Sequence, residues 1–143
     1  RRAAQREKEQ ILNSVDACGA YFTELLGSSR REMLWQVCLD GKGKLLTCRC
    51  IGKGTVSASP VHVRQVVENA LYAGASTIIL AHNHPSGVAL PSPADNATTL
   101  SVFDALRTVG VELADHIIVA DDDFVSLRHN GLLPERKENG YGI

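Results

Sequence analysis

One stretch, Thr77 to Asp95 (TIILAHNHPSGVALPSPAD), constrains the fold of this chain more than any other. Thr77–Leu80 is apolar, β-branched and too short for a helix, so it is expected to be a buried strand. Side chains alternate across a strand, so His82 and His84 should share one face while Asn83 points away. On a helix, residues two apart would diverge. The chain then crosses a Pro/Ser/Gly turn and reaches Ser92-Pro93-Ala94-Asp95, where Ser92 suits an N-cap, Pro93 the first helical position and Asp95 the third. The helix dipole favours an ionised carboxylate there. Two imidazoles and one carboxylate, with a fourth position left to water, are the ligands of a catalytic zinc site; a closed structural site would show four Cys or His ligands.

The surrounding pattern predicts an α/β domain. Ser14 is a plausible cap for a helix to Leu26, closed by Gly27, with Val15, Cys18, Tyr21, Phe22, Leu25 and Leu26 at helical spacing. From Glu32 to Asp40 the period becomes two, with Met33, Trp35, Val37 and Leu39 on one face. Gly41-Lys42-Gly43 should turn the chain into a second strand, Leu45–Ile51. Gly52-Lys53-Gly54 lacks the longer spacing of a phosphate loop. A helix beginning at Ser59-Pro60 should bury Val63, Val66, Val67, Ala70 and Leu71 before Gly74. The helix from Pro93 to Val109 should bury Leu100, Phe103 and Leu106. Strands Leu113–Ala120 and Phe124–His129 should complete a mixed sheet flanked by helices. Residues 14–133 read as one domain, 1–13 as a charged linker or helix and 134–143 as a disordered tail.

Composition narrows the function classes. Of 143 residues, 44% are hydrophobic and 22% charged, which supports a packed core. A net charge of −1 and a pI near 6.6 supply no field for nucleic acid or membrane, so nucleic-acid binding is expected to be weak. No apolar run approaches a membrane span and no signal peptide is expected. The only methionine is Met33, so Arg1 is not expected to be a natural start, and the chain is read as trimmed or as the C-terminal part of a longer one. Cys18, Cys38, Cys48 and Cys50 show no CxxC spacing and are expected to be buried, reduced thiols of a cytoplasmic protein.

The pattern His82-x-His84, seven residues, Ser92, two residues, Asp95 resembles the JAMM metallopeptidase motif of MPN domains. The fuller string His82-Asn83-His84-Pro85-Ser86-Gly87, with Pro91-Ser92 and Asp95, is similar to the RadC branch, a bacterial group named for DNA repair. Arg31-Glu32, Leu39-Asp40, Gly54-Thr55, Asp115-His116-Ile117-Ile118, Val125-Ser126 and Gly131-Leu132-Leu133 extend the likeness over residues 11 to 133. The resemblance implies the MPN fold, whose layered architecture is similar to that of cytidine deaminase. It also implies one zinc ion held by His82, His84 and Asp95, with Glu32 as the acid–base group and Ser92 as a donor to the oxyanion. His116 suits a core histidine satisfied by a neighbour. The activity implied is hydrolysis of a peptide or isopeptide bond in an unidentified peptide or protein. The alternative is a DNA-repair or DNA-processing accessory with a metal-binding but non-catalytic or regulatory site. An HNH nuclease would spread its three residues along a ββα unit, and a zinc deaminase would carry H-x-E and P-C-x-x-C, which are missing. Oligomeric state is not legible.

Overall fold

The structure, a computed structural model, describes residues 10–53 and 60–134. Residues 1–9 of the linker or helix expected over 1–13, Gly54-Thr55, the helix start at Ser59 and, Pro134 apart, the tail expected over 134–143 lie outside the described residues. In chain order the elements are α1 (Val15–Leu26), β1 (Met33–Leu39), β2 (Leu45–Lys53), α2 (Pro60–Ala73), β3 (Thr77–Asn83), α3 (Pro93–Thr108), β4 (Glu112–Ala120) and β5 (Asp123–Ser126). The strands form one mixed sheet in the order β2-β1-β3-β4-β5. Only β3 and β4 run parallel, joined through α3 as a βαβ crossover requires; β1 is antiparallel to both β2 and β3. Among the described residues no helix is long and apolar enough to cross a membrane.

The sheet is covered on both faces. On one side Phe22, Cys18 and Leu26 of α1 pack with Leu12, Val37, Leu39, Ile79, Ala81, Ile117 and Val119. On the other, Val66 and Ala70 of α2 and Val102 and Leu106 of α3 pack with Leu34, Cys38, Ile78, Leu80 and Leu113. Gly19 lets α1 press onto β5, because a Cβ there would lie 2.1 Å from the Phe124 ring. Leu12 is fully buried and Ile11 bridges Lys44, so packing takes in residues expected to belong to the linker.

Several boundaries and faces differ from expectation. β3 does not stop at Leu80: β1 pairs with it up to His82, and β4 up to Asn83. β2 runs on past Ile51 to Lys53. β5 ends at Ser126 rather than His129, because the Ser126 carbonyl accepts from the Asn130 amide and side chain and closes a turn. Leu71 of α2 and Leu100 of α3 are exposed. The buried face of α3 is instead Asp95, Thr98, Thr99, Val102 and Leu106. Leu106 is buried and Phe103 packs against the same core, as expected; Leu100 does not, and the two buried threonines read as polar in the sequence. Cys18 and Cys38 are buried as expected, but Cys48 and Cys50 are only half-buried.

One irregularity positions the site. β4 pairs Leu113 with Ile78 and then Asp115 with Ile79, leaving Ala114 as an extra residue. Leu113 faces α2 and α3, yet Ile117 and Val119 face α1, which a regular alternation from Leu113 would forbid. The extra residue therefore turns His116 onto the α3 side, opposite Leu80.

Candidate metal centre

The site lies where β3 ends and α3 begins, outside the carboxyl end of a parallel strand, the usual ligand position in α/β sheets. Because β1 runs antiparallel to β3, its start lies beside the end of β3. Glu32, fifty residues from His82 in sequence, thereby places Oε2 2.6 Å from His82 Nε2. The other nitrogen of that ring, Nδ1, lies 3.0 Å from Asp95 Oδ1. This second pair is close but not aligned as a hydrogen bond, so it counts as a charge contact. The His82 and His84 rings meet edge to face with centroids 4.8 Å apart, so the two imidazoles share one side as the spacing predicted.

His84 follows the strand, its amide donating to the Val119 carbonyl at 2.7 Å. The Gly87 amide then returns to the His84 carbonyl, and Gly87 takes φ of +90°, a conformation open to glycine. That turn sets the Val88 carbonyl 3.0 Å from His84 Nδ1. A carbonyl only accepts, so Nδ1 carries the proton, and Nε2 of the neutral ring is a lone pair. It faces Asp95 Oδ2 at 3.1 Å.

Asp95 is held by a capping box: its amide donates to Ser92 Oγ at 3.1 Å, and Oδ2 accepts from the Ser92 amide at 2.7 Å. Burial raises its pKa, but the His82 ring and the Ser92 amide outweigh that and hold the carboxyl well below the usual range. The capping bond engages the Ser92 oxygen as acceptor and leaves its proton for another partner.

Behind this layer, Thr99 Oγ1 donates to the Asp95 carbonyl at 2.6 Å and lies 2.6 Å from His116 Nδ1. With its one proton so used, the hydroxyl accepts from His116. Burial, which disfavours the charged ring, pushes His116 down to about 3, so the ring is neutral. Thr99 and His116 thus restrain the first turn of α3, the neighbour that His116 was expected to have. Asn83 was not singled out for a role either. Its carboxamide, on the far side of β3 from His82, accepts from the Met33 amide at 2.7 Å and donates to the Arg31 carbonyl at 2.8 Å.

The structure therefore brings together Glu32, His82, His84, Ser92 and Asp95, all five residues singled out in the sequence. It sorts them by depth: His82 and Asp95 side chains are each 1% exposed, His84 15% and Glu32 29%. The group of three whose ligating atoms all lie within 4.8 Å of one another is Glu32, His82 and His84, with Asp95 against both rings. The donor set fits a cation on proton arithmetic. In the neutral form that ligates a metal, His82 has one N–H for two carboxylates, and His84 turns a lone pair to the same Asp95. A divalent ion among these atoms removes both repulsions, and nitrogen with carboxylate oxygen is zinc's ligand chemistry.

A family profile described as RadC-like JAB domain matches residues 12–132. A UPF0758 protein of Aliivibrio fischeri strain MJ11 is 38% identical over 125 residues, covering 87% of this chain and 56% of that protein. One from Stenotrophomonas maltophilia strain K279a is 37% identical over 134 residues, covering 94% and 57%. One from Finegoldia magna is 39% identical over 117 residues, covering 82% and 52%. The chain thus spans little more than half the length of these curated relatives. With the profile matched across nearly all the described residues, the chain belongs to the RadC-like JAB domain family.

Proposed function

We propose that this chain is a zinc-dependent hydrolase of amide bonds, of the peptidase or isopeptidase type, acting in the cytoplasm on a peptide or protein. The observation that carries this is the pair of imidazoles turned against one buried ionised carboxylate, with Glu32 on the open side of the first ring. His82, His84 and Asp95 would hold one zinc ion. When bound, zinc supplies a Lewis acid for a carbonyl and lowers the pKa of a water to about 7.

The chain's own residues do the rest. Glu32 Oε2, on the open side of His82, takes the proton of the attacking water and returns it to the leaving amine. Ser92 turns its uncommitted proton to the oxygen on which charge develops. The Val88 carbonyl fixes the tautomer of His84, a common arrangement around a ligating histidine. Asp95, rather than Glu32, is assigned as the carboxylate ligand because the capping box and burial give it a single position.

The test is metal analysis of the purified protein with a peptide-library cleavage assay, each with and without chelator. One equivalent of zinc and chelator-sensitive cleavage are expected. A DNA-processing accessory role has no electrostatic support at a net charge of −1. Submicromolar binding of duplex or single-stranded DNA at physiological salt, without cleavage of any peptide, would reverse the assignment.

A further inference from the structure

We propose that Asn83 is the positioning residue for Glu32, a strut that fixes the proposed base from the opposite face of the sheet; this rests on the role of Glu32 proposed above. β1 and β3 exchange backbone bonds up to the Leu34–His82 pair. Beyond it the pairing with β1 stops, while β3 keeps its ladder to β4, the His84 amide donating to the Val119 carbonyl at 2.7 Å. The segment entering β1 would then lose its rungs just where Glu32 sits. The Asn83 carboxamide, which carries the donor and acceptor of a peptide group, takes their place. Its Oδ1 accepts from the Met33 amide at 2.7 Å, and its Nδ2 donates to the Arg31 carbonyl at 2.8 Å and, more weakly, to the Ser29 carbonyl at 3.5 Å. The two strong bonds grip the residues on either side of Glu32. At 2% exposure the carboxamide has no solvent to compete for these bonds.

The alternation of β3 gives adjacent residues different tasks: His82 faces the site, and Asn83 holds the base that His82 meets. Ser29 supports the same segment, its hydroxyl donating to the Arg31 carbonyl at 2.9 Å. A serine hydroxyl acting alone leaves the Met33 amide without its acceptor, so Asn83 is the group whose removal frees Glu32.

The experiment compares wild type, Glu32→Gln, Asn83→Ala and the double variant, each loaded with cobalt(II), using acetohydroxamic acid as the probe. Glu32→Gln is expected to weaken the probe about tenfold, the loss of one hydrogen bond to a charged group. Asn83→Ala should weaken it about three- to tenfold with cobalt stoichiometry unchanged, and the double variant should be no weaker than Glu32→Gln alone. Wild-type affinity in Asn83→Ala, or additive losses in the double variant, would overturn the proposal. Asn83→Ser serves should the alanine variant not fold. A second readout needs no metal: in the apo protein the His82 Nε2 nitrogen shift should move in Asn83→Ala in the direction it moves in Glu32→Gln. An Nε2 signal that stays at its wild-type position would equally sink the strut. Failure of the wild type to bind cobalt would sink the metal-site assignment instead, with the nitrogen shift still deciding on Asn83.

Discussion

His82 stands between two carboxylates that the fold treats differently. On its inner side Asp95 is buried, locked in a capping box and braced through its carbonyl by Thr99 and, beyond it, His116. On its outer side Glu32 precedes a strand, is 29% exposed, meets His82 through its carboxylate, and has its flanking backbone held by Asn83. A group that must hold a cation through every turnover benefits from a single position. One that must take and release a proton needs access and some freedom. The same functional group thus sits in two environments that suit the two roles proposed for it, as in other paired-carboxylate sites.

The largest effect expected from breaking this contrast is at Asp95. Asp95→Asn removes the inner charge, and zinc measured by atomic absorption should fall from one equivalent to a small fraction, with all hydrolysis lost. Glu32→Gln should keep its metal and its melting temperature while hydrolysis falls by about 10²–10⁴-fold. If Glu32→Gln lost its zinc as Asp95→Asn does, Glu32 would be a ligand and the contrast would collapse.

Acid should act mainly on the inner half of the metal-free protein. His116 has a folded pKa of about 3 against an ordinary 6.5, so the folded state resists a proton that the unfolded chain accepts. Its contribution is complete above pH 6.5 and is lost as pH falls toward 3. The lowered pKa of Asp95 adds a second loss only below its ordinary value of 3.8. Denaturant titrations should therefore show stability declining from pH 6.5 to 4, and His116→Gln should flatten that limb. An unchanged slope would refute a buried neutral His116. The smallest effect is at the junction: Ser92→Ala removes one capping acceptor and should cost about 1 kcal/mol in thermal or denaturant unfolding. A loss of activity beyond what this accounts for would mark the hydroxyl's second task.

The parts of the site legible in the sequence are those set by local rules. The i, i+2 spacing put both histidines on one side, and Ser-Pro-x-Asp announced the box that fixes Asp95. Alternation from Met33 to Leu39 gave β1, although Leu34, Gln36 and Cys38 on its other face are buried too. What escaped depends on partners distant in the chain. Thr98 and Thr99 look solvent-facing until α3 is docked, and Leu100 looks buried for the same reason. Leu71 fits the helical stripe of α2, but the face that packs is Val63, Val66, Val67, Ala70 and Ala73, and Leu71 is exposed beside it. Asn83 seemed merely to face away from the metal, because its partners lie about fifty residues upstream. Glu32 was reachable only through resemblance, since nothing local to Arg31-Glu32 reveals that β1 will lie antiparallel to β3.

The surplus residue in β4 makes the site a matter of odd and even. Deleting Ala114 would keep Leu113 opposite Ile78, Asp115 opposite Ile79 and His116 opposite Leu80, so every side chain of the centre would keep its face. One residue inserted between Asp115 and His116 would instead send His116 to the α1 layer, where Phe22 and Leu12 leave no polar mate for an imidazole. Thr99 would lose its imidazole, and the first turn of α3 its brace. Length variation within this strand is thus more dangerous to the centre than many substitutions beside it. Removal of the surplus residue itself, Ala114, is the length change there that should leave the centre intact.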